Sequence, residues 1–226
     1  SASKQIKKYS LIVGLLVFIA SFLFGYISLK NLEKGKKTAA TYTAQSTVRR
    51  INAQLNQYVE LSEFLGNVVL AGYDLDQTTF SKLAEMLPNE NGIIKAFELA
   101  PNGVVTDVFP QQGNEKAFGI NMLTDHDRKE DANRAKETGN YTLGGPYELK
   151  QGGTGTLLFH PVYKSDPTDN DSFWGFVIMV IDWDKFIDEI GVDRLSEASY
   201  CYEIWTTDET TGNRFVLTQS QEHIPA

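Results

Sequence analysis

At 226 residues the chain can hold one well-filled core, or a complete domain with part of a second. Its 21 Lys+Arg against 29 Asp+Glu are unevenly placed: residues 1–37 carry seven basic side chains and one acidic, leaving 14 basic against 28 acidic beyond them, a net of −14. That field repels nucleic acid and anionic lipid headgroups, so nucleic acid is excluded as a partner, and the lone Cys201 excludes an intramolecular disulfide.

After a short polar start, residues 1–8, the run from Tyr9 to Leu29 contains no charged side chain. It has the roughly 20 residues that a helix needs to cross the hydrocarbon layer. It exceeds the ~7–15 apolar residues of a secretory signal, and Leu29-Lys30-Asn31-Leu32 offers no small-residue cleavage site, so residues 9–29 are expected to be an uncleaved membrane span. Lys4, Lys7 and Lys8 before it and Lys30, Lys34, Lys36 and Lys37 after it leave its orientation undecided.

From Thr38 to Ala71 there is no proline and Gly66 is the single weak breaker, which predicts a long helix, taken with the preceding basic segment as a juxtamembrane helix over residues 30–71. Val48, Ile51, Leu55, Tyr58, Ser62, Leu65 and Val69 recur at alternating spacings of three and four, a heptad seam. The expectation is that its proximal half pairs with a second copy, making a homodimer, and its distal half docks on the domain that follows. Thr78 or Thr79 is the expected N-cap of a second helix, with Phe80, Leu83, Ala84 and Leu87 as its stripe and Pro88 as its end.

Strand patterns then take over. Ile93–Leu99 and Val104–Phe109 flank Pro101-Asn102-Gly103, a hairpin signal. Residues 125–137 read as a helix with Thr124 as N-cap, its acidic residues Asp125, Asp127, Glu130 and Asp131 on a solvated face, and Gly139 as its stop. Further strands are expected at 141–143, 147–149, 155–163 and 173–181, a short helix at 183–190, and a second strand pair at 199–207 and 214–218 in which Cys201 is buried. Gln151-Gly152-Gly153-Thr154-Gly155 lacks the Lys-Ser/Thr of a phosphate-binding loop and precedes a strand, so it reads as a hairpin turn. Residues 164–172, with Asp166, Asp169 and Asp171, read as a solvated loop rather than a calcium site, because the EF-hand glycine and terminal glutamate are missing. The order of helices and antiparallel strands predicts an α+β domain.

Catalysis is not expected. His126, His160 and His223 lie in no metal-binding or nucleophile motif, and the carboxylates form no evident pair. No cofactor or metal is implied. A binding module suits the composition better, with Phe97, Phe109, Leu143, Phe159 and Phe176 as candidates to line a mostly apolar pocket.

Arg134-Ala135-Lys136-Glu137-Thr138-Gly139, followed by Leu143, Pro146, Pro161-Val162-Tyr163 and Trp174-Gly175-Phe176, resembles the ligand-sensing segment of the CHASE family over roughly residues 60–190. These are extracytoplasmic sensor modules of membrane-bound histidine kinases, diguanylate cyclases and plant cytokinin receptors. The resemblance implies a PAS-like sensor over residues 72–190, the start of a second, membrane-proximal PAS-like unit at 191–226, a cytoplasmic N-terminus at the cell membrane, and an output domain outside this chain. It also implies a small-molecule ligand. In the plant receptors an aspartate binds the adenine ring of the hormone, and a leucine backbone after the T-G motif contacts it too. Leu143 keeps the leucine and Asn121 stands at the aspartate's place. An amide both donates and accepts where a carboxylate only accepts, which argues against simple transfer of cytokinin specificity. The alternative expectation is a membrane-tethered module for a protein or cell-wall partner, with no small-molecule pocket.

Overall fold

The computed structural model describes residues 2–72, 75–89, 91–164, 172–192, 194–195, 200–207 and 214–220, without the side chains of residues 2–17, 206–207, 214–215 and 217. The chain divides into two compact units, Ser1–Val48 and Arg49–Ala226. Helix α1, Ala2–Leu70, supplies the first unit and the opening of the second. Within the first unit Phe18, Phe22, Leu23, Phe24, Ile27 and Leu29 are all exposed. Among the described residues no helix is long and apolar enough to cross a membrane; in the expected span at 9–29 the side chains of residues 9–17 lie outside the description.

The second unit is built on one antiparallel sheet of five strands: β1 (Ile94–Pro101), β2 (Asp107–Phe109), β3 (Thr142–Glu148), β4 (Thr154–Tyr163) and β5 (Phe173–Asp182). Their order across the sheet is β2-β1-β5-β4-β3, so the chain returns through the middle, where β5 pairs with β1 and β4. Both faces of the sheet are covered, and the central strand β5 therefore reads as an almost unbroken apolar run. The α+β expectation holds at this level.

One face packs against residues 49–70 of α1, against α2 (Gln77–Glu85) and against α4 (Trp183–Ile190). Its core joins Tyr58 and Leu65 to Phe80, Phe97, Leu158, Met179 and Phe186. The distal half of the heptad seam is thus occupied by its own domain: Tyr58, Ser62 and Leu65 are buried, whereas Val48 is exposed. The opposite face packs against a 3-10 turn at Glu115–Ala117 and against α3 (Lys129–Thr138).

Several boundaries differ from expectation for local reasons. The cap of α2 is Asp76, whose carboxylate accepts the Thr79 amide at 2.7 Å, in place of Thr78 or Thr79. Helix α3 starts four residues late, because the Asn121 carbonyl accepts the amides of Thr124 and Asp125 and holds that stretch as a turn. Residues 141–143 and 147–149 join into the single strand β3, interrupted between Gly144 and Tyr147 by an irregularity in register. Val104 leaves the expected strand to bridge Asn121, which shortens β2. Gly139 ends α3 in the left-handed conformation, and Gly152 and Gly153 turn the β3–β4 hairpin, both as expected.

Strands β6 (Glu203–Thr207) and β7 (Arg214–Gln219) form a separate two-stranded sheet. Tyr202 and Ile204 pack against the core beneath α1, α2 and α4. Cys201 is exposed in the connector before β6 and is not the buried strand residue expected, since the strand begins two positions later. The loop with Asp166, Asp169 and Asp171, and His223, lie outside the described residues.

Candidate ligand-binding site

The polar chemistry of the second unit gathers on the α3 face of the sheet. Glu98 occupies the middle of β1 on the same side of the pleat as Ala96 and Ala100, so the geometry that buries those alanines buries the carboxyl too. It lies in register with Val108 of β2 and Ile178 of β5, is 2% exposed, and its Oε2 has no hydrogen-bond partner. Burial pushes its pKa up to about 7, against the pull of the Arg128 guanidinium.

Arg128, directly before α3, is also 2% exposed. One of its terminal nitrogens donates to Asp125 Oδ1 at 2.8 Å, the other reaches the Glu148 carbonyl at 3.5 Å, and its guanidinium lies 5.4 Å from the centre of the Tyr147 ring. Burial raises the Asp125 carboxyl, but the hydrogen bond and charge of Arg128 outweigh this and hold it below its ordinary value. The Tyr147 hydroxyl donates to Asp131 of α3, and burial together with that carboxylate pushes the phenol up. Asp131 also lies 3.5 Å from Arg134.

These interactions pair Arg128 with Asp125, and Asp131 with Tyr147 and Arg134. Glu98 is left with an open oxygen. The buried side chains on its face include Ala96, Ala100, Ala117, Ala132 and Ala135 beside larger ones such as Leu157, Phe159 and Phe176. Asn114, also buried, fastens the loop over this face by donating to the Pro110 carbonyl at 2.9 Å and accepting from Gln151 at 3.2 Å. A protonated Glu98 can donate one hydrogen bond; once ionised it only accepts, and it attracts a cation.

The structure distributes the sequence-predicted pocket residues over both faces. Phe159 and Phe176 lie on the α3 face, edge to face at 5.7 Å. Phe97 and Phe109 pair in register on the opposite face. Asn121 shapes the turn that carries Asp125 to Arg128: its Oδ1 accepts the Leu123 amide at 3.0 Å and its carbonyl accepts the Asp125 amide at 2.8 Å. Leu143 sits on the edge strand with its side chain 41% exposed, while its neighbour Thr142 is buried. Asp125 and Asp131, expected on a solvated helix face, instead serve Arg128 and Tyr147, with side chains only 14% and 21% exposed.

Glu98 and Arg128 escaped the sequence reading. One signal is present, a lone acidic residue at the centre of the alternation Ala96, Glu98, Ala100.

Two other features lie on the α1 side. A groove of about 320 Å³ is lined by Gln54, Gln57, Tyr58, Asn89, Ile93 and Glu189, among others, and is bordered by neither Asn121 nor Leu143. Two of its polar groups are engaged: Gln54 donates to the Tyr58 hydroxyl at 3.0 Å, and Asn89 brackets the Ile94 backbone. Glu98 differs from them in being buried with an oxygen that nothing bonds. His160 of β4 shares a hydrogen bond of 3.1 Å with Ser62 of α1 and stacks edge-on with Tyr141, whose hydroxyl donates to Glu63. Burial pushes the His160 imidazole down, opposed by Glu63. Helix α1 is thereby bonded to the strand that carries Phe159. Among the described residues no group of three or more His, Cys, Asp or Glu could hold a metal ion.

No curated protein matches the chain. Among solved structures, an extracellular ligand binding receptor from Desulfohalobium retbaense DSM5692 is similar with a TM-score of 0.54 and 21% identity, over 72% of this chain. The matched part spans 28% of that receptor's length, and a likeness of this degree speaks for the fold. The CHASE domain, a family of extracellular sensor modules, matches residues 69–215, which contain the whole five-stranded sheet with α2, α3 and α4. The chain belongs to the CHASE domain family.

Proposed function

We propose that this chain is the ligand-sensing part of a membrane-anchored receptor and binds a small molecule between the sheet and α3. The observation that carries this reading is Glu98, a buried carboxyl with an open oxygen on the α3 face of the sheet. A carboxyl placed so is costly to the fold unless another molecule completes its hydrogen bonds. The PAS-like naming finds support in the sheet order β2-β1-β5-β4-β3 with helices on both faces.

Of the five residues expected to bind ligand, Phe159 lies on this face, and Asn121 acts on it through the Asp125 turn. The backbone contact that the family resemblance assigns to Leu143 is left open by its outward side chain, and Phe97 and Phe109 support the sheet from behind. The exposed apolar surface of α1 from Phe18 to Leu29 supports a span at 9–29, with the sensor outside the cell membrane. Exposed Val48 supports pairing of two copies through the proximal helix. Ligand binding would bias two arrangements of α1, through its bonds to β4, by as much as the ligand's affinities for them differ. The output domain would be a diguanylate cyclase or a histidine kinase.

A thermal-shift screen of purines, amino acids and short peptides on the chain in mild detergent tests the site. The expected result is a compound whose stabilisation disappears in Glu98→Gln and persists in Gln54→Ala. Stabilisation lost in Gln54→Ala and kept in Glu98→Gln would move the site to the groove beside α1.

A further inference from the structure

We infer that the ligand is a small organic cation, a primary amine or an amidine, whose N–H groups bond to Glu98 between the sheet and α3. This rests on the ligand-sensing reading above and follows from how charge is distributed on that face. Facing Glu98 from β2, β4 and β5 are Val108, Phe159 and Ile178, all uncharged. The charged and titratable groups on this side include Arg128 and Asp125 before α3, Asp131, Arg134 and Lys136 on α3, Tyr147 on β3, and Tyr163 on β4, whose hydroxyl donates to the Lys136 carbonyl. Arg128 is bonded to Asp125, and Asp131 serves Tyr147 and Arg134. Arg128 also draws on Glu98, but Glu98 Oε2 has no hydrogen-bond partner.

Each class of ligand meets that arrangement differently. An anion would need a cationic group of the protein, and the nearest, Arg128, is already neutralised by Asp125. A neutral ligand leaves Glu98 protonated and gains an ordinary hydrogen bond. A cation ionises Glu98 and gains a charge-assisted bond in surroundings of low polarity, roughly twice as strong. The rings of Phe159 and Phe176 on the same face offer its carbon skeleton apolar contact.

Proton release follows. Because the ligand-free carboxyl titrates near pH 7, the cation must expel its proton below that pH. Affinity therefore falls about tenfold per pH unit below 7 and levels off above it, a difference of about thirtyfold between pH 5.5 and pH 8.

The test is calorimetric titration of the full chain in detergent micelles with amines and their alcohol counterparts: ethanolamine and ethylene glycol, benzylamine and benzyl alcohol, phenethylamine and phenethyl alcohol. At least one amine is expected to bind about tenfold or more tightly than its alcohol, with affinity rising about thirtyfold from pH 5.5 to pH 8. Glu98→Gln, which mimics the protonated carboxyl and keeps its shape, is expected to remove both the preference and the pH dependence, while its unfolding transition shows it folded. Equal binding of amine and alcohol, pH-independent binding, a preference that survives in Glu98→Gln, or no amine binding would each overturn the inference. If amines fail while a purine or peptide stabilises wild type and not Glu98→Gln, the cation is wrong and the ligand-sensing site stands.

Discussion

Between pH 4.5 and pH 7 the ligand-free protein is expected to lose about 3 kcal/mol of unfolding free energy through Glu98 alone, and Glu98→Gln to abolish that loss. The folded-state pKa of Glu98 is raised from the ordinary value of 4.5 to about 7, with burial as the leading cause. Below pH 4.5 the carboxyl is protonated in both states and contributes no pH dependence. Above it, the unfolded chain gives up the proton while the folded chain keeps it, so the folded state binds more protons and stability falls as pH rises, levelling off beyond pH 7. His160 works in the opposite sense. Its folded pKa is lowered by burial, so it subtracts stability as pH drops below the ordinary imidazole value. The two are separated by subtracting the urea-unfolding curve of Glu98→Gln from that of wild type at each pH. A flat difference across pH 4.5–7 would show that Glu98 is solvated in the folded state.

Arg128→Met is expected to cost about 3–5 kcal/mol, because it removes one partner of a buried ion pair and leaves the other charge behind. The guanidinium is 2% exposed, bonds Asp125 at 2.8 Å and stacks over Tyr147, so three elements meet on one side chain: the turn that follows Asn121, the start of α3 and strand β3. Methionine fills much of the volume but supplies no charge. Asp125 would then keep only the Asp127 amide and the charge of Lys150, and Glu98 would lose the one neighbouring charge that favours its ionised form. The double variant Arg128→Met with Asp125→Asn should recover part of the loss, and the recovered part measures the pair. An Arg128→Met cost within about 0.5 kcal/mol of zero, typical of a surface substitution, would contradict the buried placement.

What the sequence made legible follows the strength of each local signal. Helix α4 has the predicted bounds, since its amphipathic stripe is followed at once by Gly191 in the left-handed conformation. The β3–β4 turn and the end of α3 were equally plain, because glycines at those points meet a backbone requirement that other residues meet poorly. The site was not legible, for two physical reasons. Pleat parity decides which face a strand residue serves, and the parity of Phe97 against Glu98, or of Thr142 against Leu143, emerges only once the sheet is assembled with a cover on both sides. Arg128 lies in the run Asp125-His126-Asp127-Arg128-Lys129-Glu130-Asp131, whose charge density reads as a solvated surface. Only the turn made by Asn121 shows that one of those charges is folded inward and paired. Asn121 stands out in the sequence for its difference from a family aspartate. In the structure its visible work is to shape that turn.

The central claim is that ligand is sensed on the α3 face of the sheet, and a crystal structure of the protein with its most stabilising small molecule tests it most directly. Ligand density is expected within hydrogen-bond distance of Glu98 Oε2 and beside Phe159 and the alanines of α3. Density in the groove beside Gln54, Tyr58 and Glu189, with Glu98 still unpartnered, would contradict it.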